Sequence, residues 1–137
     1  MVVISSGNQE IPQQRKFYVI SYSLVTTMQA ELEGLGCQTI IADECHYLKN
    51  LRAKRTKAIL PMLHSARRAI MLSGTPALSR PYELFPQLHA IDPRSWPSQK
   101  EFGRRYCRSK RKRTGAADFR GATNVSELHA LLKGTLM

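Results

Sequence analysis

Short apolar runs alternate with longer amphipathic stretches through the first ninety residues. Val2-Val3-Ile4 reads as a short buried strand closed by Ser5-Ser6-Gly7-Asn8, with a polar loop through Pro12. Phe17-Tyr18-Val19-Ile20 is rich in β-formers and too short for a helix. Ser21 and Ser23 then offer helix-capping oxygens. Leu24, Val25, Met28, Leu32 and Leu35 fall on one helical face, and Gly34 and Gly36 end the helix. Gln38-Thr39-Ile40-Ile41-Ala42 is a third strand, so strand, helix and strand make a βαβ unit. Residues 51–64 predict a helix with Ala58, Ile59, Met62 and Leu63 inward, a basic outer face, and a kink or early stop at Pro61. Ala69-Ile70-Met71-Leu72 is a fourth strand.

Strands alternating with helices predict an α/β fold, a parallel sheet with flanking helices covering both faces. Right-handed crossovers bring the strands' carboxyl ends to one edge, where open α/β sheets bind ligands. Asp43-Glu44-Cys45-His46 and Ser73-Gly74-Thr75-Pro76 both fall there. Beyond Pro76 the strands give way. Pro81 starts a helix carrying Leu84, Phe85, Leu88 and Ile91, which ends near Pro93. Residues 98–109 form another, with Phe102 and Tyr106 four apart. Lys110-Arg111-Lys112-Arg113-Thr114-Gly115 is a loop by composition. Val125 to Leu132 is helical again, capped by Asn124 or Ser126. No internal repeat is present.

With 137 residues, 42% of them hydrophobic, the chain has one domain's worth of material and can bury a core. No stretch approaches the roughly 20 apolar residues that span a bilayer, and the opening residues lack the basic start of a secretory signal. No membrane partner is expected. Cys37, Cys45 and Cys107 form no C-x-x-C pair, which fits reduced thiols in an intracellular compartment. The net charge of +11 is clustered: residues 94–113 hold nine Lys or Arg against the single acid Glu101, and residues 49–68 hold seven against none. Such clusters suit a polyanion, nucleic acid before an acidic membrane or protein surface. The candidate DNA contacts are Lys49, Arg80, Arg104, Arg105, Lys110, Arg111, Lys112 and Arg113.

The acid pair carries the chemistry. Magnesium keeps most of its waters and accepts one or two carboxylates beside nucleotide phosphates, a role that suits Asp43 at a strand end. Glu44 can orient or deprotonate a water attacking a γ-phosphate. His46 is close enough to relay nucleotide state to other loops, and Ser73 and Thr75 can hydrogen-bond to it or to the acids. No zinc spacing exists among the cysteines and histidines. Ser73 lacks a G-x-S-x-G elbow, which argues against a hydrolase triad. Trp96, between Arg94 and Lys100, anchors its segment or stacks on a base.

Asp43-Glu44-Cys45-His46-Tyr47-Leu48-Lys49-Asn50 resembles motif II of the SNF2-type DNA-dependent ATPases of helicase superfamily 2. Leu72-Ser73-Gly74-Thr75-Pro76-Ala77-Leu78 resembles their motif III, and Val19 to Val25 their motif Ib. Ser79 to Phe85, Phe102 to Cys107, and Gly121-Ala122-Thr123-Asn124 with Glu127-Leu128-His129 resemble the annealing-helicase branch. This resemblance implies an incomplete RecA-like (P-loop NTPase) lobe. Residues 1–93 would be the C-terminal part of lobe 1, 94–123 a basic helix and loop, and 124–137 the start of a helix leading toward a second lobe. It implies ATP with Mg2+ as cofactor, Asp43 holding magnesium through water, and Glu44 as catalytic base. His46, Ser73, Gly74 and Thr75 would couple hydrolysis to DNA.

The expected function is that of a fragment of an ATP-dependent DNA-remodelling motor, nuclear, acting on forked DNA or single/double-strand junctions in fork restart and repair. The family's G-x-G-K-T phosphate loop does not occur in these 137 residues, and none of the eight glycines precedes Lys-Thr or Lys-Ser. Serine is common in the subgroup where Cys45 stands. The isolated chain is therefore expected to hydrolyse ATP negligibly. The competing expectation is a non-catalytic, sequence-nonspecific DNA-binding module.

Overall fold

The computed structural model describes residues 1–14, 16–74, 80–107, 110–111 and 117–135. Its strands follow the apolar runs: β1 (Val2–Ile4), β2 (Tyr18–Ile20), β3 (Thr39–Ala42) and β4 (Arg68–Met71). Two parallel pairs form. β1 lies beside β2, with Val3 opposite Val19. β3 lies beside β4, with Ile40 opposite Ala69 and Ile41 opposite Ile70. The helices are α1 (Tyr22–Val25), α2 (Gln29–Gly34), α3 (Lys54–Ser65), α4 (Phe85–Ile91), α5 (Gln99–Tyr106) and α6 (Val125–Thr135). Cys45–Leu48 and Pro81–Leu84 are 3-10 turns. The result is a mixed α/β fold with short parallel sheets and flanking helices, as the periodicity implies.

Several expectations change. β2 and β3 do not pair among the described residues, so the βαβ unit is β3–α3–β4 rather than the earlier one. The helix expected across Leu24 to Leu35 breaks into α1 and α2. At the break the Thr26 hydroxyl donates to the Ser23 carbonyl (2.7 Å) and the Thr27 hydroxyl to the Leu24 carbonyl (2.9 Å). Hydroxyls that bond back to the previous turn compete with the helical ladder. Pro61 does not end α3, which runs on to Ser65 with Ala58, Ile59 and Leu63 buried and Met62 half-buried. Thr56, on the same inward face, is completely buried.

Among the described residues the sheets are covered on one face only. Val3, Val19, Ile41 and Ile70 point outward and stay exposed, and Ile41 is 61% exposed. Each strand pair therefore packs only one side: Ile40, Ala69 and Met71 belong to the core cluster and their neighbours do not. Ile91, at the end of α4, is exposed, while the helix turns Phe85, Pro86, Gln87, Leu88 and Ala90 inward. The helix expected over 98–109 ends at Tyr106. Lys110–Arg111, expected in a loop, pairs antiparallel with Ala117–Asp118; we label these β5 and β6.

Two hydrophobic clusters hold the chain. The first joins β1, α2, α3 and the β3–β4 pair through Ile4, Met28, Leu32, Ala42, Leu48, Ile59 and Leu63. The second joins α4, α5 and α6 through Phe85, Leu88, Phe102, Tyr106, Leu128 and Leu132, with Trp96 and Phe119 at its margin. α4 contributes to both, since Ala90 belongs to the first cluster. α5 starts from Ser98, whose hydroxyl accepts the Glu101 backbone N–H at 3.3 Å and satisfies a donor the first turn leaves open.

Candidate functional site

The site forms where β3 and β4 end. The ladder continues past the strands: the Leu72 N–H donates to the Ala42 carbonyl and the Cys45 N–H to the Leu72 carbonyl, both at 2.9 Å. These two bonds set the loop after β3 against the loop after β4. Asp43 and Glu44 follow the buried Ala42, and the chain turns sharply there. Glu44 sits in the left-handed region, φ 48° and ψ 46°. A side-chain-bearing residue held there costs of order 1 kcal/mol or more, and persists only where its surroundings fix it.

Those surroundings are specific. The Asp43 Oδ1 accepts the Glu44 N–H at 2.9 Å, and the Tyr22 hydroxyl donates to the Asp43 carbonyl at 2.6 Å. The Cys45 thiol is buried and donates to Oε1 of the buried Gln87 at 3.4 Å, tying the turn to α4. His46 Nδ1 lies 3.0 Å from Glu44 Oε2 and 3.3 Å from Ser73 Oγ. The site thus brings together Asp43, Glu44, His46 and Ser73 as expected. Gly74 is exposed, and no described residue stands within 4 Å of where its Cβ would be. Thr75 lies outside the described residues.

Burial and the neighbouring acids shape the titration of this corner. The Tyr22 phenol is pushed from 10.0 up to about 12, first by burial, then by Cys45, Asp43 and Glu44. Burial also raises the Cys45 thiol, with Glu44 and Asp43 adding to the effect and the thiol's own backbone hydrogen bond opposing it. A raised thiol is a poor nucleophile, so Cys45 packs and hydrogen-bonds rather than reacts.

Tyr22 and Gln87 were not singled out from sequence. Tyr22 stood in a recognisable segment, two residues past the end of an apolar strand, but nothing local says that its hydroxyl reaches residue 43. Gln87 is a polar residue on an otherwise apolar helical face, which periodicity treats as noise.

The predicted basic contacts divide. Lys49 Nζ lies 3.7 Å from Glu83 Oε2. That oxygen is buried and makes no hydrogen bond to the described residues, so the contact is charge attraction alone. Arg80 and Arg104 are exposed. Arg105 is engaged by Glu127: its Nε donates to Oε1 at 2.9 Å and Nη2 lies 2.7 Å from the same oxygen. The Tyr106 hydroxyl donates to that oxygen too, at 2.9 Å. Lys110 and Arg111 stand on β5. Lys112 and Arg113 lie outside the described residues. Arg55, absent from the predicted set, lies over the exposed Tyr47 ring at 5.7 Å, and Tyr47 packs on His46 at 4.5 Å between centroids.

Comparison with known proteins adds a family match and three relatives. Residues 4–137 match the SNF2-related domain family. The chain is 44% identical over 126 residues to the mouse DNA annealing helicase and endonuclease ZRANB3, covering 87% of this chain and 12% of that protein. It is 42% identical over 119 residues to the Xenopus tropicalis SWI/SNF-related matrix-associated actin-dependent regulator of chromatin subfamily A-like protein 1, again covering 87% of this chain and 12% of that protein. The human ZRANB3 protein is 39% identical over 129 residues, 89% of this chain and 12% of its own length. The chain therefore spans about an eighth of the length of these curated relatives.

Proposed function

The chain belongs to the SNF2-related family, and from that premise we propose that it is part of the first motor lobe of an ATP-driven DNA-remodelling protein. The observation that carries this reading is the joined pair of strand-end loops: two acids after β3, with His46 bridging Glu44 to Ser73 after β4. Relatives named as DNA annealing helicases support a motor that acts on DNA; its proposed setting is the nucleus, on forked DNA and single/double-strand junctions, in fork restart and repair.

The residues present fit part of an ATP–magnesium site. Asp43 and Glu44 are both exposed carboxylates at the sheet edge, the hard oxygen donors that magnesium accepts alongside waters and phosphates. Asp43 would hold the ion through water; the ion would neutralise charge on the phosphates. Glu44 would take the proton of the attacking water, and its short contact to His46 orients the carboxylate for that task. The backbone cradle for the phosphates would come from a G-x-G-K-T segment elsewhere in the protein. Arg80, Arg104 and the 110–113 run would contact the DNA backbone.

The test is ATP hydrolysis with and without forked DNA. This chain is compared with one extended to carry a phosphate loop and a second lobe. The reading expects activity in the extended form alone, lost on Glu44→Gln. DNA binding without hydrolysis in either form would instead support a non-catalytic, sequence-nonspecific DNA-binding module, for which the basic runs speak.

A further inference from the structure

The peptide group between Asp43 and Glu44 is held at both ends. Its N–H is taken by the Asp43 carboxylate at 2.9 Å, and its carbonyl by the Tyr22 hydroxyl at 2.6 Å. The plane of that peptide sets two things at once. It fixes the direction in which the Asp43 side chain leaves the strand end. It also fixes Glu44 in the left-handed conformation, φ 48°, that brings its carboxylate within 3.0 Å of His46. Of the two restraints, the Asp43 carboxylate is local and would be drawn away by any cation it serves. Tyr22 comes from the start of α1, twenty-one residues back, outside the loop that carries the acids.

We propose that Tyr22 is a positioning residue for the acid pair: its hydroxyl clamps the Asp43–Glu44 peptide so that both carboxylates keep their orientation when the site is loaded. The inference rests on the motor reading of Asp43 and Glu44. The ring is half-buried against Tyr47, 6.1 Å between centroids, so the phenol approaches the carbonyl from a packed platform. Asp43 is an exposed residue, so a carbonyl that loses the hydroxyl is within reach of solvent. Folding then changes little, while the peptide gains freedom to rotate. That separation distinguishes positioning from ordinary packing.

The variant is Tyr22→Phe, which keeps the ring and removes the oxygen. It is measured in the chain extended with the phosphate loop and second lobe, by DNA-stimulated ATP hydrolysis. The matched control is Tyr18→Phe, which loses the same kind of bond, hydroxyl to the Pro12 carbonyl at 2.9 Å, away from the site. The expected result is a fall in kcat of about tenfold for Tyr22→Phe, the scale of one hydrogen bond's worth of lost positioning, with KM for ATP within about twofold and Tyr18→Phe at the wild-type rate. In the 137-residue chain alone, the Glu44 amide resonance should shift in Tyr22→Phe and not in Tyr18→Phe.

Wild-type kcat in Tyr22→Phe, with Glu44→Gln inactive, overturns the clamp and leaves the motor reading standing. Full activity in Glu44→Gln overturns the motor reading and the clamp with it. An equal loss of kcat in both tyrosine variants also overturns the clamp, because a general loss of folded protein then explains it.

Discussion

His46 Nδ1 stands 3.3 Å from Ser73 Oγ while also lying 3.0 Å from Glu44 Oε2. One ring nitrogen therefore serves two loops. With Nδ1 as the donor, a nitrogen that donates fully to the carboxylate has little left for the hydroxyl, so in the proposed motor a movement of Glu44 toward an attacking water would strengthen the contact with Ser73. In the proposed motor, nucleotide state at one strand end would be read at the next through this shared nitrogen. In the extended protein, Ser73→Ala is expected to leave basal ATP hydrolysis within about twofold and to reduce its stimulation by DNA about three- to tenfold, the range of a single hydrogen bond. Rates measured with and without DNA check this; equal losses in both would show that Ser73 has no coupling role.

The raised phenol of Tyr22 gives the chain an alkaline signature. In the unfolded chain this group releases its proton near 10.0, in the folded protein only near 12. Between those values the folded state holds a proton the unfolded state has lost, so stability falls as pH rises. The contribution is complete below about 10 and gone above about 12. Denaturation midpoints measured from pH 9 to 12 should decline, and Tyr22→Phe should flatten the decline. Tyr106, raised by burial and by its bond to Glu127, adds a weaker contribution of the same sign. An unchanged slope in Tyr22→Phe would place the titration elsewhere.

The strands were legible because β-branched residues crowd into runs too short for helices, and the four strands lie within one residue of the expected bounds. Their partners were not legible. A run such as Thr39-Ile40-Ile41-Ala42 is apolar on both faces, so its composition cannot tell a strand buried on both sides from one whose Ile41 meets solvent. The site was readable at Asp43, Glu44, His46 and Ser73, since a strand end and its polar loop are adjacent in sequence. It was opaque at Tyr22 and Gln87, whose partners lie 21 and 42 residues away. Threonine back-bonding after α1 was present in the sequence as Thr26-Thr27, but the apolar face spacing ran through it unbroken.

Gly103 and Phe119 mark where the 117–119 segment docks on α5. A Cβ built on Gly103 meets the Phe119 ring at 2.8 Å, closer than side chains tolerate, and that ring is itself stacked on Tyr82 at 5.2 Å. Gly103→Ala should gain up to about 1 kcal/mol of helix propensity and lose about 1–3 kcal/mol to overpacking, a net destabilisation. Chemical denaturation checks the sign. Pairing it with Phe119→Leu should recover part of the loss, since the smaller side chain vacates the ring's position. Simple additivity of the two changes would show that the close approach carries no strain.

The basic run from Lys110 to Arg113 should bind DNA through phosphates rather than bases. Among the described residues β5 and β6 pair by two residues each, Lys110 opposite Asp118 and Arg111 opposite Ala117. Phosphate contacts fix position without reading sequence. Replacing all four residues with alanine should weaken binding by a similar factor on forked, duplex and single-stranded DNA of any sequence. Each phosphate contact removed should lower the slope of log affinity against log salt by about 0.7 to 0.9, so the loss of four should lower it by about 3. Arg105→Ala should have a smaller effect on DNA, because its guanidinium is held by Glu127 at 2.7 Å. Fluorescence anisotropy across a salt series measures both slopes. A loss confined to one sequence would assign the run to base recognition, and an unchanged salt slope would remove it from the DNA interface.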